Sequence, residues 1–243
     1  MEKATKNFIS NLKEQKRKNK SLLFLDNVKI IKDAISNNSI EIECVLTCLD
    51  EPPFKVKKDT PVYKVEAYVI EQLADTKTPQ KVLCIAYLIQ NVVEIPKTNF
   101  LVLDGLQDPG NVGTLIRTAF ASGFEYVFLI DSVRKENDKL VRSSVGAVFN
   151  SKVYSMTREE FINFAQENNF KLVCADMNGE NIFEFKCDDL IGVVVGNEGQ
   201  GVSDEIANLC FKTVKIPMKA GIESLNAGVS GSIIMYEINK NNF

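Results

Sequence analysis

From residue 99 onward the chain alternates short apolar runs with stretches of helical spacing, and no other feature constrains its fold as much. Residues 100–103, 126–130, 171–175, 191–195 and 213–216 read as strands. Residues 112–122, 139–149, 158–168, 204–209 and 225–238 read as helices. Strands separated by helices pair mostly in parallel, because each crossover helix returns the chain to the same end of the sheet. Both faces of such a sheet are covered by helices, so its strands read as continuous apolar runs. Ile191, Gly192, Val193, Val194 and Val195 fit a central strand of this kind.

Residues 1–94 predict a smaller α/β unit. A basic helix over 3–20 leads to a strand over 21–25, a helix over 28–36 and a strand over 40–49. A short strand over 62–65, a helix over 66–74 and a buried strand over 82–89 complete it. Ile95-Pro96-Lys97-Thr98 reads as a linker, leaving 99–243 as the second domain. No apolar run is long enough to span a bilayer, and no secretory signal pattern follows the lysine-rich start. A cytoplasmic protein is expected.

Composition narrows the chemistry. The chain has no histidine, which excludes a Ser-His-Asp triad, an imidazole acid or base and most zinc catalysis. The six cysteines are scattered through apolar runs and read as core thiols. Cys44 and Cys48 have no second pair to complete a metal site. The net charge of −3 hides an asymmetry. Residues 1–32 carry nine basic and three acidic side chains (9 − 3 = +6), and residues 96–243 carry fourteen against nineteen (14 − 19 = −5). A basic arm on an acidic body suits an anionic partner, although a solvated helix face has the same composition.

Ligands of parallel α/β sheets bind beyond the carboxyl ends of the strands, and three loops there stand out. The first runs from Asp104 to Gly113 and opens a helix carrying Arg117. Gly105 and Gly110 have phosphate-loop spacing, but Asn111-Val112 stand where Lys and Ser or Thr are required. The second, Gly196-Asn197-Glu198-Gly199-Gln200-Gly201, lacks the dinucleotide glycine order, and no acid ends the next strand to hold a ribose. Ser203 reads as the N-cap of the helix that follows. The third runs from Ile216-Pro217-Met218 to Glu223-Ser224-Leu225-Asn226 and opens a helix rich in small residues: Ala227, Gly228, Ser230, Gly231 and Ser232. Gly and Ser cost helix stability relative to Ala or Leu and are kept where something packs close to the helix backbone.

Together the loops resemble the SpoU-type (TrmH-like) 2′-O-ribose RNA methyltransferases of the SPOUT class. That family's three motifs appear in order as Asn111-Val112-Gly113 with Arg117, Gly196-Asn197-Glu198-Gly199 with Gly201, and Ile216-Pro217-Met218 with Ser224-Leu225-Asn226. The likeness covers residues 98–238, and Thr78-Pro79-Gln80 extends it into the N-terminal part. Asp26-Asn27 depart from it, standing where the family often has Glu-Gly.

The resemblance implies an α/β fold whose C-terminal, mostly parallel sheet is trefoil-knotted, with a small N-terminal substrate-binding domain. It implies an obligate homodimer that methylates a ribose 2′-hydroxyl from S-adenosyl-L-methionine without a metal. Arg117, Asn111, Glu198, Ser224 and Asn226 become the catalytic set, and Gly196, Ile216, Met218 and Leu225 the cofactor contacts. Asn111 and Glu198 are expected to orient Arg117, which positions the hydroxyl. RNA is the partner, with ribosomal RNA favoured over tRNA, and the basic N-terminal helix is expected to bring it in. A tRNA 2′-O-methyltransferase and a non-catalytic RNA-binding or ribosome-assembly protein of the same fold are the alternatives. A nicotinamide-dependent dehydrogenase is a third.

Overall fold

A computed structural model describes residues 1–89, 92–222 and 224–241. Two compact units appear. One comprises Met1–Asn91 with Glu136–Arg142, and the other Val92–Lys135 with Ser143–Phe243. Residues 136–142, assigned by sequence to the C-terminal domain, therefore group with the N-terminal unit.

In the N-terminal unit, β1 (Glu2–Lys3), β4 (Val62–Lys64), β3 (Ile40–Thr47), β5 (Val82–Leu88) and β2 (Leu22–Leu25) lie side by side in that order. The first three are parallel to one another, and β5 runs antiparallel to β3 and β2. Helices α1 (Lys6–Lys18), α2 (Val28–Ser36) and α3 (Ala67–Leu73) complete the unit. Helix α1 starts at Thr5, whose hydroxyl accepts from Phe8 N–H, and α2 starts at Asn27, whose amide accepts from Lys29 and Ile30 N–H. Leu12 of α1 is buried with Phe24, Leu46, Ile70 and Leu83. The basic side chains of α1 are partly spoken for: Lys13 bonds Gln72, Lys16 bonds Asp75 and the Leu73 carbonyl, and Lys18 bonds Glu14.

The second unit is built on six parallel strands in the order β11-β9-β10-β6-β7-β8. These are β6 (Phe100–Asp104), β7 (Tyr126–Ile130), β8 (Lys152–Met156), β9 (Lys171–Asn181), β10 (Ile191–Gly196) and β11 (Cys210–Lys215). The helices are α4 (Pro109–Ala121), α5 (Asp138–Ser143, mostly in the first unit), α6 (Arg158–Glu167), α7 (Asp204–Ala207) and α8 (Ala227–Asn239). Residues 191–195 of β10 are all buried, as a central strand demands. Phe100, Phe128, Tyr154 and Phe161 pack on one face, with Phe100 edge-on to Phe128 at 5.7 Å.

Three expectations change. The helix expected over 139–149 breaks after Ser143, because Val145 and Gly146 take left-handed backbone conformations, and a 3-10 turn follows at Ala147–Phe149. Strand β8, absent from the sequence reading, forms the far edge of the sheet. Strand β9 runs on through polar residues to Asn181 because β11 pairs with it there.

Candidate active site

Strands β6 and β10 are neighbours with Gly196 opposite Asp104, so the loops that follow them leave the sheet together. Gly105 turns in the left-handed region, and its carbonyl accepts from Asn197 Nδ2 at 2.8 Å. Asn197 also shapes its own loop. Its Oδ1 accepts from Gly199 N at 2.9 Å and Gln200 N at 3.1 Å, and its backbone exchanges two bonds of 2.9 Å with Gly201. The loop folds so tightly that a Cβ on Gly196 would lie 2.2 Å from the backbone of Gly201 and Val202.

Below this loop is a residue that the sequence reading missed. Asp104 is buried at the end of β6. Its Oδ2 accepts from Ser203 N–H at 2.7 Å and Ser203 Oγ–H at 2.6 Å. Its Oδ1 accepts from Arg158 Nη2 at 3.1 Å, and Arg158 also approaches Asp131 at 3.8 Å. Ser203 therefore makes no side-chain cap on α7, contrary to expectation, because its hydroxyl is turned toward Asp104.

Helix α4 starts sharply. Asp108 caps it by accepting from Gly110 and Asn111 N–H, and Pro109 occupies the first turn, where its missing N–H costs nothing. This fixes Asn111 at the helix mouth. Asn111 Nδ2 donates to Glu198 Oε1 at 2.9 Å, and Asn111 Oδ1 accepts from Asn226 Nδ2 at 2.9 Å. Asn226 also caps α8 through Val229 N–H at 3.3 Å. Two hydrogen bonds thus join all three loops. The small residues of α8 make this possible by letting it lie close on α4. A Cβ on Gly231 would stand 2.5 Å from Leu115, and Ser232 Oγ donates to Thr118 Oγ1 at 2.9 Å.

Of the expected catalytic residues, Asn111, Glu198 and Asn226 meet. Arg117 does not join them. It is exposed on α4 and, among the described residues, makes no side-chain hydrogen bond or ion pair. The partner expected to orient it, Glu198, takes Asn111 instead. Ser224 is exposed beside the cluster, and Glu223 lies outside the described residues. Of the expected cofactor contacts, Gly196, Ile216 and Leu225 are half-buried and Met218 is exposed. Among the described residues, the 217–222 stretch forms no helix or strand and closes a single turn at 220–221, leaving most of its backbone polar groups open to solvent or a ligand.

Residues 98–236 match the model of the SpoU rRNA Methylase family. The chain is 26% identical over 230 residues to the 23S rRNA (guanosine(2553)-2′-O)-methyltransferase RlmP of Bacillus subtilis, covering 93% of this chain and 92% of that one. It is 34% identical over 142 residues to a Staphylococcus epidermidis protein named as a TrmH family tRNA/rRNA methyltransferase, spanning 57% of each. An AdoMet-bound rRNA methyltransferase from Sinorhizobium meliloti superposes with a TM-score of 0.87 at 21% identity, over 100% of this chain and 98% of that one, a likeness of fold.

Proposed function

The chain belongs to the SpoU rRNA methylase family, and from that premise we propose that it transfers a methyl group from S-adenosyl-L-methionine to a ribose 2′-hydroxyl in RNA, ribosomal RNA before tRNA. The observation that carries the reading is the bonded series Asn226–Asn111–Glu198, which gathers the three family motifs at one end of the parallel sheet. The alignment with RlmP over nearly the whole of both chains favours ribosomal RNA.

The residues fit the methyl donor. Gly196 opens a fold with no room for a side chain, Ile216 and Leu225 offer half-buried apolar surface, and the backbone of 217–222 has polar groups to spare. Gly196, Ile216, Met218 and Leu225 hold the cofactor in this reading. The bound cofactor supplies a methyl on a positively charged sulfur, electrophilic enough to need no metal. The chain's own work is to hold the ribose oxygen in line and accommodate its developing charge. Arg117 does this as a donor, because a guanidinium offers five N–H donors and no acceptor and makes a poor base. Ser224, at the mouth of α8, lines the ribose, and the Asn226–Asn111–Glu198 series keeps the loops in register.

Arg117 acts from a homodimer face in this account. Phe120 follows it by three positions on α4, and Val229 and Tyr236, seven apart on α8, are similarly half-exposed. The division into a substrate-binding domain (1–94), a linker (95–98) and a methyltransferase domain (99–243) belongs to the same reading, as does a cytoplasmic location. So does the trefoil knot. Support for the knot comes from the loop after the edge strand β11 returning to the α4 mouth, where Asn226 reaches Asn111. No helix among the described residues is long and apolar enough to cross a membrane. Nucleoside analysis of RNA treated with enzyme and cofactor tests the chemistry. A 2′-O-methylated nucleoside is the expected product, and a base-methylated one would overturn the reading.

A further inference from the structure

The parallel strands β1, β4 and β3 of the N-terminal unit end side by side, with Lys3 opposite Lys64 and Lys64 opposite Thr47. A cavity of about 290 Å³ lies at this edge. Its walls include Lys3, Lys64 and Lys81 with Leu49, Val65 and Glu66. The carboxyl ends of parallel strands are where α/β sheets take ligands, and the volume is near the lower end, roughly 300 Å³, of small-molecule sites.

Lys81 has an unusual backbone. Its φ is +59°, in the left-handed region that glycine occupies at less cost. The conformation is held from outside: the Lys81 carbonyl accepts from Cys48 N–H at 3.2 Å, Thr47 Oγ1 at 3.3 Å and Cys48 Sγ at 3.6 Å. A strained residue kept at a cavity rim points to use rather than to packing. Lys3 and Lys81 have no side-chain partner among the described residues. Lys64 pairs with Asp50 at 2.9 Å, but Asp50 is fully exposed, and such pairs contribute little and exchange readily. Three cations therefore face one lining carboxylate, Glu66. Lys13 and Lys16 of α1 are by contrast bonded to Gln72, Asp75 and the Leu73 carbonyl.

We propose that this cavity seats one nucleotide of the substrate RNA, its phosphodiester held by Lys3, Lys64 and Lys81 and its base laid against Leu49 and Val65. The proposal rests on RNA being the substrate, and it moves RNA capture from helix α1 to the end of the β1-β4-β3 edge. A half-open pocket of this size suits an unstacked nucleotide in a loop or single strand.

The test uses the full chain and Lys81→Gly. The probes are a fluorescent single-stranded 25-mer RNA over a potassium chloride series and adenosine monophosphate. Glycine relieves the backbone strain while removing the cation, so stability and binding move in opposite directions. The variant is expected to melt at a higher temperature than wild type and to bind the 25-mer about fivefold more weakly. Its salt slope is shallower by about 0.7, the value for one contact on a single strand. KM for RNA rises with kcat and adenosylmethionine affinity unchanged. Lys3→Ala/Lys81→Gly extends the loss. RNA affinity within twofold of wild type and an unchanged slope in both variants would overturn the proposal. So would protection of wild type by adenosine monophosphate with RNA binding unaffected by either change. If wild type binds the 25-mer in a Lys81-dependent way yet transfers no methyl, the catalytic reading fails and the pocket stands. Normal transfer with Lys81-independent binding is the reverse case.

Discussion

Removing the Asp104 carboxylate should undo the anchor of the 196–203 loop, and the structure sets the scale. Asp104 is 1% exposed and accepts three hydrogen bonds, two from Ser203 and one from Arg158. Asp104→Ala leaves the half-buried Ser203 N–H unpaired, a cost of about 1–3 kcal/mol. It also strands the Arg158 guanidinium, with Asp131 at 3.8 Å and the charge of Glu205 as its remaining anions. Breaking a fully buried pair from one side costs about 3–5 kcal/mol, and the one-third exposure of Arg158 cuts this to about 2. The sum is about 3–5 kcal/mol. At about 2–4 °C per kcal/mol for a chain of this size, the melting temperature should fall by about 10 °C. Asp104→Asn, which keeps one acceptor oxygen, should fall about half as far. Because Ser203 closes the loop that Gly196 opens, adenosylmethionine affinity by calorimetry should drop at least tenfold in both. A melting point within 2 °C of wild type, with affinity within twofold, would refute the anchoring argument.

Two glycines of that loop should behave oppositely. Gly196→Ala puts a Cβ 2.2 Å from backbone and should abolish cofactor binding, whereas Gly199→Ala meets nothing nearer than 3.6 Å and should bind normally by calorimetry. Asn111→Ala severs both bonds of the motif series and should cost about 100-fold in kcat, with RNA affinity, read by filter binding, unchanged. In the N-terminal unit, burial pushes Asp138 up to about 7, against the Phe24 N–H that it accepts and with the help of neighbouring Asp75; Lys16 and Arg142 flank the pair. The native state thus holds a proton that the unfolded chain releases near pH 4, so stability should fall, on the order of 2 kcal/mol, as pH rises from about 4 to 7. Asp138→Asn mimics the protonated form and should abolish that fall in urea unfolding at pH 5 and pH 8.

What could be read in the sequence follows from local physics. The central strands are buried on both faces, so they appear as unbroken apolar runs, and the glycine- and Asx-rich turns between them mark the loops. Strand β8 was invisible because an edge strand with an exposed Ser155 and half-buried ends has no such run. The polar half of β9 is a strand only because β11 pairs with it at Glu180 and Asn181. Asp104 looked like the start of a loop. Its partners Arg158 and Ser203 lie 54 and 99 positions away, and nothing local announces them. The motifs told which residues gather and misjudged which ones pair. Six helical residues carry Arg117 about 9 Å along α4 from Asn111 and about 240° around it, so one carboxylate does not serve both. Tertiary pairing likewise occupies two lysines of α1, Lys13 and Lys16, that composition counts toward a basic surface.

The most direct test of the central claim is transfer of tritiated methyl from adenosylmethionine to ribosomal and transfer RNA fractions by wild type and Arg117→Ala. The account predicts label in the ribosomal fraction with wild type, almost none with the variant, and similar adenosylmethionine affinity in both proteins. Variant activity within tenfold of wild type would contradict the role of Arg117, and no wild-type label in any RNA despite tight cofactor binding would contradict the methyltransferase reading itself.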